Sequence, residues 1–196
     1  MTNNEWDKKL KIQTTGTDNS KEDAYHYPYE PTSYSVLERL VESDYIRKED
    51  IVIDYGCGKG RVSFFLSYNV GCKTIGVDFD ENMYNYSMEN KKTFIGMIKP
   101  DFECASAEKY KVNEATAFYF FNPFSVEIFR AVLGQIMDSY YDNPREMKLF
   151  FYYPNDEYVS YLMTQPQLQF FDEIDCRDLF EGNNEREKIL IFEVEG

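Results

Sequence analysis

Along most of this 196-residue chain, short apolar runs alternate with segments whose apolar residues recur at helical spacing. Ile51, Val52 and Ile53 are β-branched with no polar residue between them, as in a strand buried on both faces, and predict a strand over 50–55. Similar runs predict strands over 73–78, 101–105, 117–121, 147–153, 167–175 and 188–194. The intervening segments predict helices over 60–69, 81–98, 125–140 and 157–164. In the second of these, Met83, Tyr84 and Met88 form the apolar side and Pro100 stands just beyond the end. An earlier helix, over about 33–44, carries the stripe Val36, Leu37, Leu40 and Val41, with Thr32 or Ser33 as its cap. Glu181-Gly182-Asn183-Asn184 is a turn signal, so the last two strands are expected to pair as an antiparallel hairpin.

This alternation implies an α/β fold whose parallel sheet is covered on both faces. Residues 1–24 are polar and show no clear period; Trp6, Leu10 and Ile12 are the points that would pin them, and much of the segment is expected to be mobile. Residues 25–35 are aromatic and extended, because each proline restrains its predecessor. No repeat and no interdomain linker interrupts the rest.

Composition narrows the function classes. Hydrophobic residues make up 43% of the chain, so it is globular and long enough for one domain with a substantial core. No run is long enough to span a bilayer, and no secretory h-region opens the chain. Cys57, Cys72, Cys104 and Cys176 are scattered and share the chain with a single histidine, His26, a poor set for zinc. They read as reduced thiols of a cytoplasmic protein without a metal, with Cys72 and Cys104 in the core. The net charge of −14, with no basic cluster beyond Lys91-Lys92, argues against nucleic acid. It favours a neutral or cationic substrate, such as a small amine or a lysine-bearing protein, because a negative field concentrates cations. The alternative is that the acidity serves solubility alone.

The richest stretch is Asp54-Tyr55-Gly56-Cys57-Gly58-Lys59-Gly60-Arg61, directly after the first strand. Its three glycines let the backbone turn sharply and pass close to a ligand, at the start of a helix with free backbone N–H groups. A dinucleotide loop reads G-x-G-x-x-G, whereas here the third glycine arrives one residue early. Asp54 at the strand end would repel a pyrophosphate and suits a cationic ligand. The pattern resembles motif I of the class I S-adenosylmethionine (SAM) methyltransferases, which implies SAM as cofactor and places Asp54, Gly56, Cys57, Gly58 and Gly60 against it.

An acid at the end of the second strand, Asp78, is where nucleotide-binding sheets hold ribose hydroxyls, and Phe79 beside it can lie on the adenine face. This is similar to motif II of the family. The acid that the family places after the third strand is replaced by Ser106, followed by Ala107, unless the register is shifted by a residue or two. Strand four ends in Asn122-Pro123-Phe124, which resembles motif IV of amino-methyltransferases with the second proline missing. The resemblance implies that Asn122 accepts hydrogen bonds from a substrate amine and that Phe124 stacks on the substrate.

Tyr29-Glu30-Pro31-Thr32 resembles a Pro-Thr element before the first helix of small lysine methyltransferases, which puts Tyr29 and Thr32 at the cofactor. Tyr25, Tyr27, Tyr29 and Tyr34 form either an aromatic lid or an ordinary packed arm, and His26 is either a general base or incidental.

Together these readings give an expected organisation. Residues 1–28 are a partly flexible arm. Residues 29–196 are a single methyltransferase domain with a three-layer Rossmann-like fold and a mostly parallel seven-stranded sheet whose last strand is antiparallel. The expected activity is SAM-dependent N-methylation of an amine-bearing acceptor. A non-catalytic SAM-binding sensor or interaction module and an NAD-dependent oxidoreductase are the competing classes. The sequence leaves the oligomeric state open.

Overall fold

Ile51–Tyr55 forms strand β1 in the middle of a seven-stranded sheet. In the computed structural model, residues 1–16 and 30–195 are described. The other strands are β2 (Lys73–Asp78), β3 (Asp101–Cys104), β4 (Ala117–Phe120), β5 (Lys148–Tyr152), β6 (Leu168–Asp175) and β7 (Lys188–Val194). Their order is β3-β2-β1-β4-β5-β7-β6, and β7 runs antiparallel to both its neighbours while the other pairs are parallel. The helices among the described residues are α1 (Asn3–Leu10), α2 (Tyr34–Glu42), α3 (Arg61–Asn69), α4 (Glu81–Thr93), α5 (Val126–Asp142) and α6 (Asp156–Leu162).

The period of two along each strand divides the core in half. Val52, Tyr119, Phe150, Ile189 and Ile191 face one cluster, closed by residues of α1, α2 and α3. Ile53, Tyr55, Phe118, Phe120, Leu149, Phe151 and Leu190 face the other, closed by α5 and α6. This two-sided burial is why the strands read as unbroken apolar runs.

Three details differ from the sequence expectation. Residues 3–10, which show no clear period, form α1, started by a capping box in which Glu5 N–H donates to Thr2 Oγ1 (3.3 Å) and Thr2 N–H to Glu5 Oε2 (2.8 Å). Trp6, Leu10 and Ile12 are the buried anchors, with Trp6 stacked on Tyr34 at 5.7 Å and edge-on to Phe65 at 4.9 Å. Helix α1 thus packs into the same core as α2 and α3, while the expected 28/29 boundary lies outside the described residues. Secondly, α4 stops at Thr93, five residues short of the predicted end at 98. Phe94 leaves the helix (ψ 134°) and buries its ring 4.8 Å from that of Phe64, while Ile95, Met97 and Ile98 remain exposed. Thirdly, Cys104 is exposed while Cys72 is buried, because β3 is an edge strand covered on one side only.

Candidate functional site

From β1 the chain builds the sheet outwards first to β2 and β3, then back across to β4 and β5. The crevice at the carboxyl ends of β1 and β4 is therefore a topological switch point, where open α/β sheets bind ligands. The glycine turn fills one side of it. Gly56, Gly58 and Gly60 have φ of 70°, 52° and 87°, in the region that side chains disfavour. The turn is held by Gly56 N–H to Val77 O (2.8 Å) and Gly60 N–H to Cys57 O (2.8 Å). A Cβ on Gly56 would lie 2.4 Å from Pro123 Cβ, so the turn after β1 rests directly on the segment after β4.

Asp78, at the end of β2 and nearly buried, accepts from Gly58 N–H through Oδ2 (2.8 Å) and from Asp80 N–H through Oδ1 (3.0 Å). These groups border a cleft of about 1020 Å³, counting its solvent-open mouth. On the β2–β3 side it is lined by Asp78, Phe79, Ala105, Ser106, Ala107 and Glu108; on the β1–β4 side by Thr32, Asp54, Arg61 and Tyr119. Phe121, Asn122, Pro123 and Phe124 line the remaining wall.

The cleft thus gathers Thr32, Asp54, Gly56, Cys57, Asp78, Phe79, Ser106, Ala107, Asn122 and Phe124 from ten positions spread along the sequence. Gly58 and Gly60 are not on its wall. Gly58 binds Asp78 from within the turn, and the space of a Gly60 Cβ is taken by Phe102 Cζ at 2.7 Å and Phe64 Cε2 at 2.9 Å. Tyr29, with Tyr25, His26 and Tyr27, lies outside the described residues. Tyr34 is no lid residue: it is fully buried, and its hydroxyl donates to Asp7 at 2.6 Å.

Asp54 is buried and accepts from Ser63 Oγ of α3 at 2.9 Å. Burial pushes its carboxyl up to about 7; the hydrogen bonds from Ser63 oppose this, and the nearby Asp78 charge adds to it. Asn122 has φ 40°, and its Nδ2 donates to Tyr153 O at 2.6 Å. That bond fixes the amide and leaves Oδ1 with no protein donor among the described residues. Phe124 is only 4% exposed, edge-on to Tyr55 and Phe120, so it has little face for a substrate. The half-buried aromatic surface beside Asn122 belongs instead to Phe121, which contacts Tyr152 at 4.7 Å and Tyr153 at 6.3 Å.

Some cleft residues escape sequence reasoning. Glu108 puts a carboxylate on the wall two positions after Ser106. Tyr55 and Tyr119 sit inside strands that read as purely structural, yet both line the cleft, and the Tyr55 hydroxyl is buried without a partner among the described residues. Arg61 did leave a signal, since a cation in the first turn opposes the helix dipole and calls for a reason.

Residues 52–140 match the family described as a methyltransferase domain. The match spans less than half of the chain, and the fold around it is the Rossmann-like fold of solved SAM-dependent methyltransferases. Among curated proteins, it is 34% identical over 67 residues to a protein-lysine N-methyltransferase of Saccharolobus islandicus (strain REY15A), covering 33% of this chain and 41% of that one. It is also 38% identical over 58 residues to a histone H3 lysine-79-specific N-methyltransferase of Dictyostelium discoideum, covering 30% of this chain and 3% of the relative. The matches thus span less than half the length of either relative.

Solved structures share the fold at low identity. A TehB-like SAM-dependent methyltransferase of Corynebacterium glutamicum is 14% identical at TM-score 0.58, covering 91% of each chain. An rRNA methylase of Streptococcus thermophilus is 16% identical at TM-score 0.56, covering 85% of this chain and 97% of that one. Among the described residues, no helix is long and apolar enough to cross a membrane.

Proposed function

We propose that this protein transfers a methyl group from SAM to the nitrogen of an amine-bearing acceptor, with a protein lysine as the first candidate. The observation that carries this reading is the seating of Asn122-Pro123 on Gly56 of the cofactor turn, with the Asn122 amide held by Tyr153 and its Oδ1 left for a donor. Among the described residues the cleft walls bear five carboxylates, Glu30, Asp54, Asp78, Asp80 and Glu108, against one cation, Arg61, a balance that suits an amine better than a phosphate backbone. Both curated relatives are named as lysine N-methyltransferases, which supports the same class of acceptor.

The residues present fit SAM. Asp78 brings a carboxylate to the cleft wall for the ribose, Phe79 and the Ser106–Ala107 backbone flank the place for adenine, and Asp54 offers a carboxylate to the cationic end. When bound, SAM supplies a methyl group already activated on a sulfonium. The protein's own contribution is alignment. Asn122 Oδ1 accepts an N–H of a neutral amine and turns its lone pair towards the donor, and Phe121 walls the approach. Alignment of this kind is worth about 7–11 kcal/mol.

Asn122→Ala is expected to leave SAM affinity within about twofold of wild type while slowing methyl transfer roughly a hundredfold or more. Calorimetry and turnover with basic proteins and small amines test this together. Unaltered turnover removes Asn122 from the acceptor site, and transfer to RNA but not to any amine overturns the proposal.

Asp54 adds a pH signature. Its folded-state value, raised to about 7 from 3.8, means that the folded protein holds this proton more tightly than the unfolded chain. The stability contributed is complete below about 4 and is lost as pH rises through about 7. A bound cation pulls the group back towards ionisation. SAM affinity is therefore expected to rise up to about tenfold per pH unit below 7 and to level off above it. Titrations from pH 6 to 8 check this, and an affinity that stays flat removes Asp54 from the cationic end.

A further inference from the structure

Tyr153, the first residue after β5, has φ 50°, a conformation that a bulky side chain rarely adopts. Asn122, with φ 40°, is at the matching place beyond β4. The two strands pair with Phe120 opposite Phe151, so two residues further on Asn122 stands opposite Tyr153. Left-handed residues of this kind persist only where surrounding contacts over-determine them.

Those contacts come from the turn before β7. Arg186 Nη2 donates to Tyr153 O at 3.1 Å and Nε to Pro154 O at 3.2 Å, while the guanidinium lies 4.2 Å from the centre of the Tyr153 ring. Asn184 Nδ2 donates to the Tyr153 hydroxyl at 2.6 Å, and Asn184 Oδ1 accepts from Arg186 N–H at 3.0 Å. Tyr153 N–H donates to Lys188 O at 3.0 Å. The ring, hydroxyl, N–H and carbonyl of Tyr153 are thus all held from residues 184–188. Only a planar fork reaches two successive carbonyls while its face covers a ring, which is why an arginine fits here and a lysine does not.

The Tyr153 carbonyl carries this grip to the cleft. Besides Arg186 Nη2 it accepts from Asn122 Nδ2 at 2.6 Å. A carbonyl oxygen can only accept, so it selects the NH2 end of the amide and turns Oδ1 away from itself. Asn122 lines the cleft, whereas Tyr153 and Arg186 do not. We infer that Arg186 is a positioning residue for methyl transfer: by holding the Tyr153 carbonyl it sets the orientation of the Asn122 amide, and with it the alignment of the acceptor nitrogen. This inference rests on Asn122 as the group that binds the acceptor.

The first readout needs no acceptor. The Asn122 side-chain amide gives nuclear magnetic resonance signals identified by their loss in Asn122→Ala. In wild type their order parameter is expected to be that of rigid backbone, about 0.85, and in Arg186→Met to fall below about 0.6. The second readout is turnover with basic proteins and small amines. Arg186→Met is expected to lower kcat roughly ten- to a hundredfold, with acceptor KM and SAM affinity within about threefold of wild type. Introduced into Asn122→Ala, the same substitution costs no further rate, because groups that act as a unit are not additive. Arg186→Lys keeps one donor for the Tyr153 carbonyl and is expected to lose roughly three- to tenfold, again only when Asn122 is present. That variant carries the same comparison if Arg186→Met does not fold.

An Asn122 amide as rigid in Arg186→Met as in wild type overturns the inference. So does a loss of rate that is undiminished in the Asn122→Ala background, since Arg186 is then a structural clamp of the turn alone. Amine methylation by wild type at a rate that neither substitution alters refutes this inference and leaves the acceptor reading intact. Absence of transfer to any amine by wild type refutes the acceptor reading and this inference with it.

Discussion

Asp78→Ala is expected to abolish cofactor binding at concentrations where wild type saturates, a loss of roughly a hundredfold or more, with the sheet intact by circular dichroism. The magnitude comes from two effects of one side chain. The carboxylate is the intended acceptor for the ribose diol, and hydrogen bonds to a charged group are worth about 1.5–3 kcal/mol each. It also holds the N–H groups of Gly58 and Asp80, so alanine frees the glycine turn as well as removing the ligand contact. Asp78→Asn separates the two effects. One amide oxygen still accepts, whereas the NH2 group faces a backbone donor, and the expected loss is intermediate. Unchanged SAM affinity in the alanine variant would dismiss the ribose assignment outright.

The second large effect is expected from Gly56→Ala. At φ 70° an alanine pays about 1–2 kcal/mol for the left-handed conformation alone. Its Cβ would then stand 2.4 Å from Pro123 Cβ, far inside contact distance, and overpacking of this kind costs about 1–3 kcal/mol more. The sum of about 2–5 kcal/mol corresponds to a fall in melting temperature of roughly 5–15 °C for a chain of this size. Gly182→Ala is the internal control, since Gly182 has φ 98° but nothing within 4 Å of the added carbon. It should show the backbone cost without the clash. Equal destabilisation by the two substitutions would mean that the turn does not rest on Pro123. If it does, Gly56→Ala also impairs both cofactor affinity and turnover, because the displaced segment carries Asn122.

The sheet was readable from sequence for a physical reason. Strands buried on both faces need apolar residues at nearly every position, and β1, β4 and β5 supply them apart from Asp54 near the end of β1 and Lys148 at the start of β5. Asp54 and Asp78 were readable because a carboxylate at the end of such a strand has no packing role to explain it. Helix α1 was not, since three anchors across residues 6–12 are too few to show a period. The end of α4 was missed because the pull of Phe94 towards Phe64 is a tertiary contact that no local pattern reports.

Phe124 illustrates a similar limit: motif IV names an aromatic, but whether that ring faces substrate or core depends on the path after Pro123. Here the core takes Phe124 and leaves Phe121 half-exposed. The raised Asp54 carboxyl belongs to the same class, as it follows from burial.

The stacking of Trp6 on Tyr34 gives the protein an optical handle on its own site. The chain has one tryptophan, so its near-ultraviolet emission reports from a single place. That indole is 5.7 Å from the Tyr34 ring, whose own centre lies 4.6 Å from the Arg61 guanidinium. A ligand that shifts the guanidinium is expected to perturb a fluorophore two layers away, beyond the reach of direct contact quenching. Binding in the cleft is therefore expected to be readable as a change in this emission on unlabelled protein.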